Sequence, residues 1–440
     1  MNMENLDKLM KKVAFYTLGC KVNQVETEQL KEEFINRGYN IVDFTDNPDI
    51  YIINTCTVTH VSDRKSRAMI RRAARNSHAL VAITGCMAQV ASRELADIEG
   101  IDLIVGNLNK DSIADIIENV NPEQKKPLII NQLLNENRKI KPVLYSCRHE
   151  RTRAFVKIQD GCQSNCSYCI IPQARGPVRS KEPYAILQEI KQLTALGYLE
   201  IVLTGIHIGF YGIDLKGWDL KQLLDMILNE TGEEYRIRLG SLEPLEVSSE
   251  IINLIAGTSR MCRHLHIPLQ SGSNKILQAM NRRYSREYYY ELLQEIAAKV
   301  PGVALTADVM VGFPSEDEKE FNETYNLIES LPLTDLHVFP YSRRPGTKAA
   351  AMTNQVSPSQ KHARSQKILE LAQKKHQDFI NSHQGKELTI LVEKKIAPQE
   401  YTGLSDNYIE VLLNSSHELY GKFVRVKMID NRGEIIEIYL

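Results

Sequence analysis

Cys162-Gln-Ser-Asn-Cys166-Ser-Tyr-Cys169 places three thiols within eight residues, spaced C-x3-C-x2-C. It follows directly on Ala154-Phe-Val-Lys-Ile158, a short apolar run that predicts a strand. Three cysteines can hold three irons of a four-iron, four-sulfur cube and leave the fourth iron open to another ligand. A cube ligated four times by protein can only carry electrons. The spacing also admits a structural zinc site with Cys147 or His149 as fourth ligand, although zinc sites usually come as two C-x2-C-type pairs separated by a longer loop.

Downstream of the triplet the pattern of strand and helix continues. Strands are predicted at 154–158, Glu200–Thr204, Tyr235–Leu239, Arg263–Ile267, Val303–Ala307 and Asp335–Phe339. Helical periodicity falls between them, as at Tyr184–Leu196, Leu220–Asn229 and Tyr288–Lys299. Six such units predict a partial, open barrel rather than a closed eightfold one, with the triplet in the loop after its first strand, on the face where such barrels do chemistry.

Upstream, Val13–Thr17, Ile50–Ile53, Leu80–Thr84 and Ile101–Val105 are β-branched runs suited to buried parallel strands. A helical pattern over Val25–Arg37, closed by Gly38, lies between the first two. The repeat predicts an open doubly wound sheet. Cys20, Cys56 and Cys86 then follow its first three strands. Loops after parallel strands share one sheet edge, so these three distant thiols are expected to converge as a second three-cysteine cluster site. Three unrelated buried thiols are the plainer alternative, since free cysteine often packs as a small apolar residue.

A polar connection, Asn121-Pro-Glu-Gln-Lys-Lys-Pro127, marks the expected end of the first domain. The domains read as 11–122, 148–378 and 379–440. Ser357-Pro358 has the form of an N-cap followed by proline at the first helical position, opening a helix to about His383. Five short alternating strands follow, between Leu388 and Leu440, and suggest a compact β-barrel of the oligonucleotide-binding kind.

A net charge of −1 provides no global field to attract nucleic acid, so a basic footprint must be local. Two candidates exist. Arg64, Lys65, Arg67, Arg71, Arg72 and Arg75 crowd a predicted helix after Cys56, and Arg64, Arg67, Arg71 and Arg75 step by three or four along one face. In the last domain Arg425 and Lys427 alternate with Val424, Val426 and Met428, although acidic residues outnumber basic ones there. Eight cysteines without a secretion signal argue for reduced thiols in the cytosol and against disulfides. No apolar run approaches the length that spans a bilayer.

With both triplets placed, the chain resembles the methylthiotransferases of the radical S-adenosylmethionine superfamily from Lys12 to its end. The central triplet with Tyr168 before the last cysteine is the superfamily's signature. Asp160-Gly-Cys, Cys169-Ile-Ile-Pro-Gln-Ala-Arg-Gly176, Leu203-Thr-Gly205, Leu265–Ser273, Val311-Gly-Phe-Pro314, Phe339-Pro-Tyr-Ser342 and Arg344-Pro-Gly-Thr347 carry the likeness to the methylthiotransferases. Lys21-Val-Asn-Gln24 resembles the branch acting on N6-threonylcarbamoyladenosine (t6A) in tRNA. The isopentenyladenosine branch and the branch that modifies a ribosomal protein aspartate tend to differ there.

The resemblance implies an α/β fold: an N-terminal doubly wound sheet, a partial (β/α)6 radical SAM barrel and a small C-terminal TRAM β-barrel. It implies two 4Fe–4S clusters, the first on Cys162, Cys166 and Cys169, binding S-adenosylmethionine, and the second on Cys20, Cys56 and Cys86. The expected reaction is methylthiolation at C2 of t6A at position 37, with S-adenosylmethionine as both radical source and methyl donor. Tyr168, Gly205, Gly312 and Phe339 are candidates for the cofactor pocket. The expected partners are the tRNA anticodon stem-loop, an electron donor protein and a sulfur donor, in the cytoplasm and with no membrane. No general acid or base stands out, and His60, His207, His264 and His266 read as structural or surface residues. A zinc-stabilised RNA-binding protein remains the non-enzymatic alternative.

Overall fold

The computed structural model describes residues 11–120, 126–132, 139–143, 145, 151–429 and 432–438. Cys147 and His149, the candidate fourth zinc ligands, lie outside the described residues, as do 121–125 of the expected polar boundary. The chain divides into two compact units. One comprises Met1–Ser146, Gln159–Lys181 and Ser342–Ala350, and the other Cys147–Ile158, Glu182–Tyr341 and Ala351–Leu440.

The first unit is built on six parallel strands: β1 (Lys12–Thr17), β2 (Asn40–Ile41), β3 (Ile50–Thr55), β4 (Leu80–Gly85), β5 (Leu103–Val105) and β6 (Leu128–Ile130). Their spatial order is β2-β1-β3-β4-β5-β6. The winding direction reverses between β1 and β3, and open sheets of this kind bind ligands at that reversal. Helix α1 (Lys21–Asn36) and helix α2 (His60–Ala73) follow β1 and β3, and the short α3 (Cys86–Val90) follows β4. Buried Val13, Ile52, Leu103, Leu30 and Phe34 pack on one side of the sheet, and Ile53, Val81, Ile83 and Ile70 on the other. Strand β6 lies past residue 122, where the sequence placed the end of this domain. The two-residue β2 was too short to leave a pattern. Helix α1 starts at Lys21, four residues before its expected start, because Cys20 occupies the N-cap position in place of a recognisable capping residue.

Segment 159–181 closes on itself. Gln159–Asp160 pairs antiparallel with Arg179–Ser180, and the cysteine triplet and helix α4 (Ile171–Arg175) lie between them.

The second unit carries β7 (Arg153–Lys157), β8 (Glu200–Thr204), β9 (Arg236–Leu239), β10 (His264–His266), β11 (Ala304–Val311) and β12 (Asp335–Pro340). Parallel sheets β9-β8-β7 and β10-β11-β12 are joined by bridges Ile237 to Met261 and Ser241 to His266, giving the expected six parallel strands in chain order. Helices α5 (Arg286–Lys299) and α6 (Glu318–Ser330) return the chain between strands. Helix α7 (Pro358–Asn381) opens on the expected Ser357 cap, with Gln360 completing a capping box. A closed barrel follows: β13 (Glu387–Ala397), β14 (Glu400–Ser405), β15 (Glu410–Asn414), β16 (Phe423–Ile429) and β17 (Arg432–Ile438), in the order β13-β14-β15-β17-β16.

This small barrel is fastened by a buried charge. Glu200 is fully buried and accepts from Arg236 Nε and Arg238 Nε at 2.7 Å each. The remaining guanidinium donors reach the carbonyls of Thr389, Leu404, Ser405 and Asp406. Burial opposes the charge on Glu200, but Arg238 and Arg236 outweigh it and hold its carboxyl below the usual range. Because the folded-state pKa is depressed, this stability is present above the unfolded value of about 4.3 and is lost as pH falls below it. Glu200→Ala should cost about 3–5 kcal/mol, since it leaves two buried guanidinium groups uncompensated. Thermal melts followed by circular dichroism should show that loss near neutral pH and a weaker acid dependence below about pH 4 than in the unaltered chain.

Candidate functional site: two thiol triplets in one unit

The first unit holds all six motif cysteines. Cys20 is the N-cap residue of α1. Cys56 follows β3. Its backbone is held by Ser66 of α2, which accepts from Cys56 N at 3.4 Å and donates to Cys56 O at 3.0 Å. Cys86 opens α3 directly after β4.

Two glycines make the approach possible. Gly19 has φ of +99°, and a Cβ there would lie 2.8 Å from Cys56 Cβ. Gly85 has φ of +96°, and a Cβ there would lie 2.3 Å from Thr55 O. Asn23, from the Lys21-Val-Asn-Gln24 segment, ties the loops together by donating to Leu18 O at 2.7 Å and Thr55 O at 3.1 Å. The structure therefore brings Cys20, Cys56 and Cys86 to one sheet edge, beside the reversal between β1 and β3.

Cys56 and Cys86 are buried, while Cys20 is exposed. Burial, then the neighbouring Cys86, pushes Cys56 up to about 11. Burial also raises Cys86, and Arg175 works in the opposite direction. Buried thiols of this kind ionise when a metal replaces the proton. In the other triplet Cys162 is buried and Cys166 and Cys169 are half-buried. Backbone N–H groups of Ser164 and Ile171 donate to Cys162 Sγ and Cys169 Sγ at 3.4 Å, contacts of the kind that tune a cluster when one is bound.

A single tetrahedral zinc with Zn–S bonds of about 2.3 Å needs its sulfurs about 3.8 Å apart. Among the described residues, the group with three ligand atoms within 4.8 Å of one another is His266, Asp308 and His337, and no three cysteines form one. Three soft donors, buried backing and N–H···S contacts fit a larger iron–sulfur cube.

A buried polar network links the two sets, and little in the residue pattern foreshadows it. Arg175, fully buried at the end of α4, donates to Glu26 at 2.8 Å, Asp160 at 2.9 Å and Asn23. Lys110 pairs with the other oxygen of Glu26 and reaches Asn54 at 3.2 Å. Burial opposes the charge on Arg175, but Glu26 and Asp160 outweigh it and raise its pKa. Lys110 goes the other way, lowered by burial despite Glu26. Asn107 adds a second tie, donating to Ala174 O at 2.7 Å and lying 3.9 Å from Cys86 Sγ. One signal was legible. Glu26 sits on the Val22–Glu26–Leu30–Phe34 ridge of α1, a carboxylate where the periodicity calls for an apolar residue.

Arg344 plays a similar part for the Cys56 loop. It donates to Thr57 O at 3.0 Å and pairs with Asp63, which accepts from Thr57 Oγ1 at 2.6 Å. His60 Nδ1 lies 2.6 Å from the same guanidinium.

The four cofactor-pocket candidates fall in different units. Tyr168 is half-buried in the first. In the second, Gly205 and Gly312 follow the C-terminal ends of β8 and β11, and Phe339 is half-buried on β12. Gly312 also has a local structural reason, φ of +71° with Lys361 packed against it. Of the basic residues, Arg64, Arg71 and Arg75 are exposed, with Arg75 just past the end of α2, while Arg67 pairs with Glu94 at 2.7 Å. Arg425 is held by Glu437 at 2.8 Å, and Lys427 is exposed beside it. No helix among the described residues is long and apolar enough to cross a membrane.

Comparison with known proteins agrees with this arrangement. Residues 12–106 match an uncharacterized protein family, UPF0004, and residues 156–328 match the radical SAM superfamily. The threonylcarbamoyladenosine tRNA methylthiotransferase MtaB of Bacillus subtilis is 38% identical over 98% of this chain and 97% of its own length. Its counterpart in Aquifex aeolicus is 42% identical over 94% of this chain and 99% of its own. A tRNA-2-methylthio-N(6)-dimethylallyladenosine synthase of Carboxydothermus hydrogenoformans is 33% identical over 94% and 96%. A solved radical S-adenosylmethionine methyltransferase from Kitasatospora setae shares the fold at TM-score 0.59 and 15% identity, over 77% of this chain and 74% of that one. Two thiol triplets in one unit, an open six-stranded barrel and full-length likeness to these enzymes place the chain in the radical S-adenosylmethionine tRNA methylthiotransferase family, whose members use S-adenosylmethionine and 4Fe–4S clusters.

Proposed function

We propose that the protein attaches a methylthio group to C2 of N6-threonylcarbamoyladenosine at position 37 of tRNA. The observation that carries the reading is the gathering of two three-thiol sets in one compact unit, bridged through Arg175 and Asn107. One set alone suits a radical generator, and the second suits a sulfur source. The choice of t6A follows the relatives from Bacillus subtilis and Aquifex aeolicus, which are closer in identity than the dimethylallyladenosine synthase.

Cys162, Cys166 and Cys169 would hold the cluster that binds S-adenosylmethionine, and Cys20, Cys56 and Cys86 the second cluster. When bound, these groups supply the one-electron chemistry that an aromatic C–H bond without a leaving group requires. The chain's own work is positioning and exclusion. Ser66, Asn23 and Arg344 fix the cysteine loops, Arg175 places a cation near Cys86, and burial keeps water from Cys56, Cys86 and Cys162. Tyr168, Gly205, Gly312 and Phe339 are the proposed contacts to S-adenosylmethionine. An electron donor protein and a sulfur donor complete the reaction, in the cytoplasm.

Mass spectrometry of tRNA nucleosides from cells lacking the gene tests the substrate. Loss of the methylthio derivative of t6A, with the isopentenyl derivative intact, is expected. The converse pattern would overturn the assignment in favour of isopentenyladenosine.

The exposed face of α2 is proposed to meet the anticodon stem-loop, with Arg425 and Lys427 as a lesser contact. Arg71→Ala with Arg75→Ala should remove two phosphate contacts, weakening tRNA binding and lowering the salt slope by about 2. A salt titration by filter binding reads both quantities, and an unchanged slope would take α2 out of the footprint.

A further inference from the structure

His266, Asp308 and His337 come from three adjacent strands of the second unit. Register sets His266 opposite Thr306 and Asp308 opposite His337. All three project from the sheet face opposite the one whose Leu265, Leu305, Ala307 and Leu336 are buried in the core. Asp308 Oδ1 lies 3.3 Å from His266 Nε2 and 3.3 Å from His337 Nδ1. The three ligand atoms lie within 4.8 Å of one another.

The distances admit two explanations, a histidine–carboxylate pairing and shared ligation of one ion. A charge-assisted N–H···O bond is about 2.7–2.9 Å long, and both contacts exceed that. Two ligands bound side by side to one ion, with bonds of about 2.0–2.1 Å, stand about 3.0–3.4 Å apart. Both contacts fall in that interval. The supporting contacts agree. Thr306 Oγ1 bonds His266 Nδ1 at 2.9 Å and also meets His264 Nε2 at 3.3 Å, which orients the His266 ring with Nε2 toward Asp308. Side-chain exposure rises from 13% at His266 through 29% at Asp308 to 69% at His337. The constellation is therefore open on the His337 side, leaving room for water or for an oxygen of a bound molecule.

We propose that His266, Asp308 and His337 form a binding site for a divalent first-row cation, of the two-histidine, one-carboxylate kind. Mixed nitrogen and oxygen donors suit manganese, iron(II), cobalt or zinc. The site contains no cysteine. A cation with open positions there would offer a carboxylate or phosphate oxygen a point of attachment. It also gives His266 a role beyond the structural one expected from sequence.

Manganese(II) is the suitable probe, because it prefers oxygen and nitrogen donors over thiolates. Anaerobically purified protein carrying its clusters is desalted and titrated with manganese(II), and the room-temperature six-line EPR signal counts the free ion. The expected result is uptake of one ion per chain, displaced by zinc(II). Affinity should fall about 10-fold or more in Asp308→Asn and in His337→Ala, and hold in Asp335→Asn on the same strand face. His337 is the most exposed of the three, so His337→Ala should keep the iron content and melting curve of the unaltered protein and decides the matter if Asp308→Asn misfolds. Absence of uptake, or uptake that His337→Ala leaves unchanged, would overturn the site.

Discussion

Replacing Cys162, Cys166 and Cys169 together by Ala is expected to halve the iron, from about eight to about four atoms per chain, and to abolish cleavage of S-adenosylmethionine. The matching replacement of Cys20, Cys56 and Cys86 should also halve the iron, yet leave that cleavage in place and stop methylthiolation. The asymmetry follows from the assigned roles, one set generating the radical and the other serving sulfur. Iron determination after anaerobic purification, with chromatography of the cleavage products, reads both variants. Equal loss of cleavage in the two would merge the roles. A colourless unaltered protein with zinc and no iron would restore the zinc-stabilised alternative.

Arg175→Leu is expected to cost about 3–5 kcal/mol, because it leaves the buried carboxylates of Glu26 and Asp160 without their shared cation. The guanidinium is planar and reaches two carboxylates and Asn23 together, so Arg175→Lys should recover only part of the loss. Stability is only half of the expectation. The same cation acts electrostatically on Cys86, so its removal should lower the potential of the cluster held by Cys20, Cys56 and Cys86. Chemical denaturation reads the first effect and EPR-monitored redox titration the second. A potential unchanged in the soluble Arg175→Lys and Arg175→Leu proteins would reduce Arg175 to a purely structural residue.

The strand and helix pattern was legible because buried parallel strands are short apolar runs and the helices between them keep a regular period. The six barrel strands, the Ser357 cap and the five strands of the C-terminal barrel all lie within a few residues of their expected places. Strand β6, past the expected boundary, and the short β2 carried too few residues to show a period. The start of α1 was missed because cysteine is not read as a cap.

For the site, sequence alone marked the six cysteines and the reason to group them. A tight triplet shows itself by spacing, and thiols after successive parallel strands converge by topology. Charge networks do not announce themselves that way. Arg175, Glu26, Asp160 and Lys110 are separated by up to 149 residues, and only packing decides which buried cation meets which carboxylate. The same holds for His266, Asp308 and His337, whose meeting depends on strand register. Spacing along the chain therefore determined the chemistry this protein can hold, while the tertiary structure decided the electrostatics around it, because interactions between charges depend on distance in space and on burial.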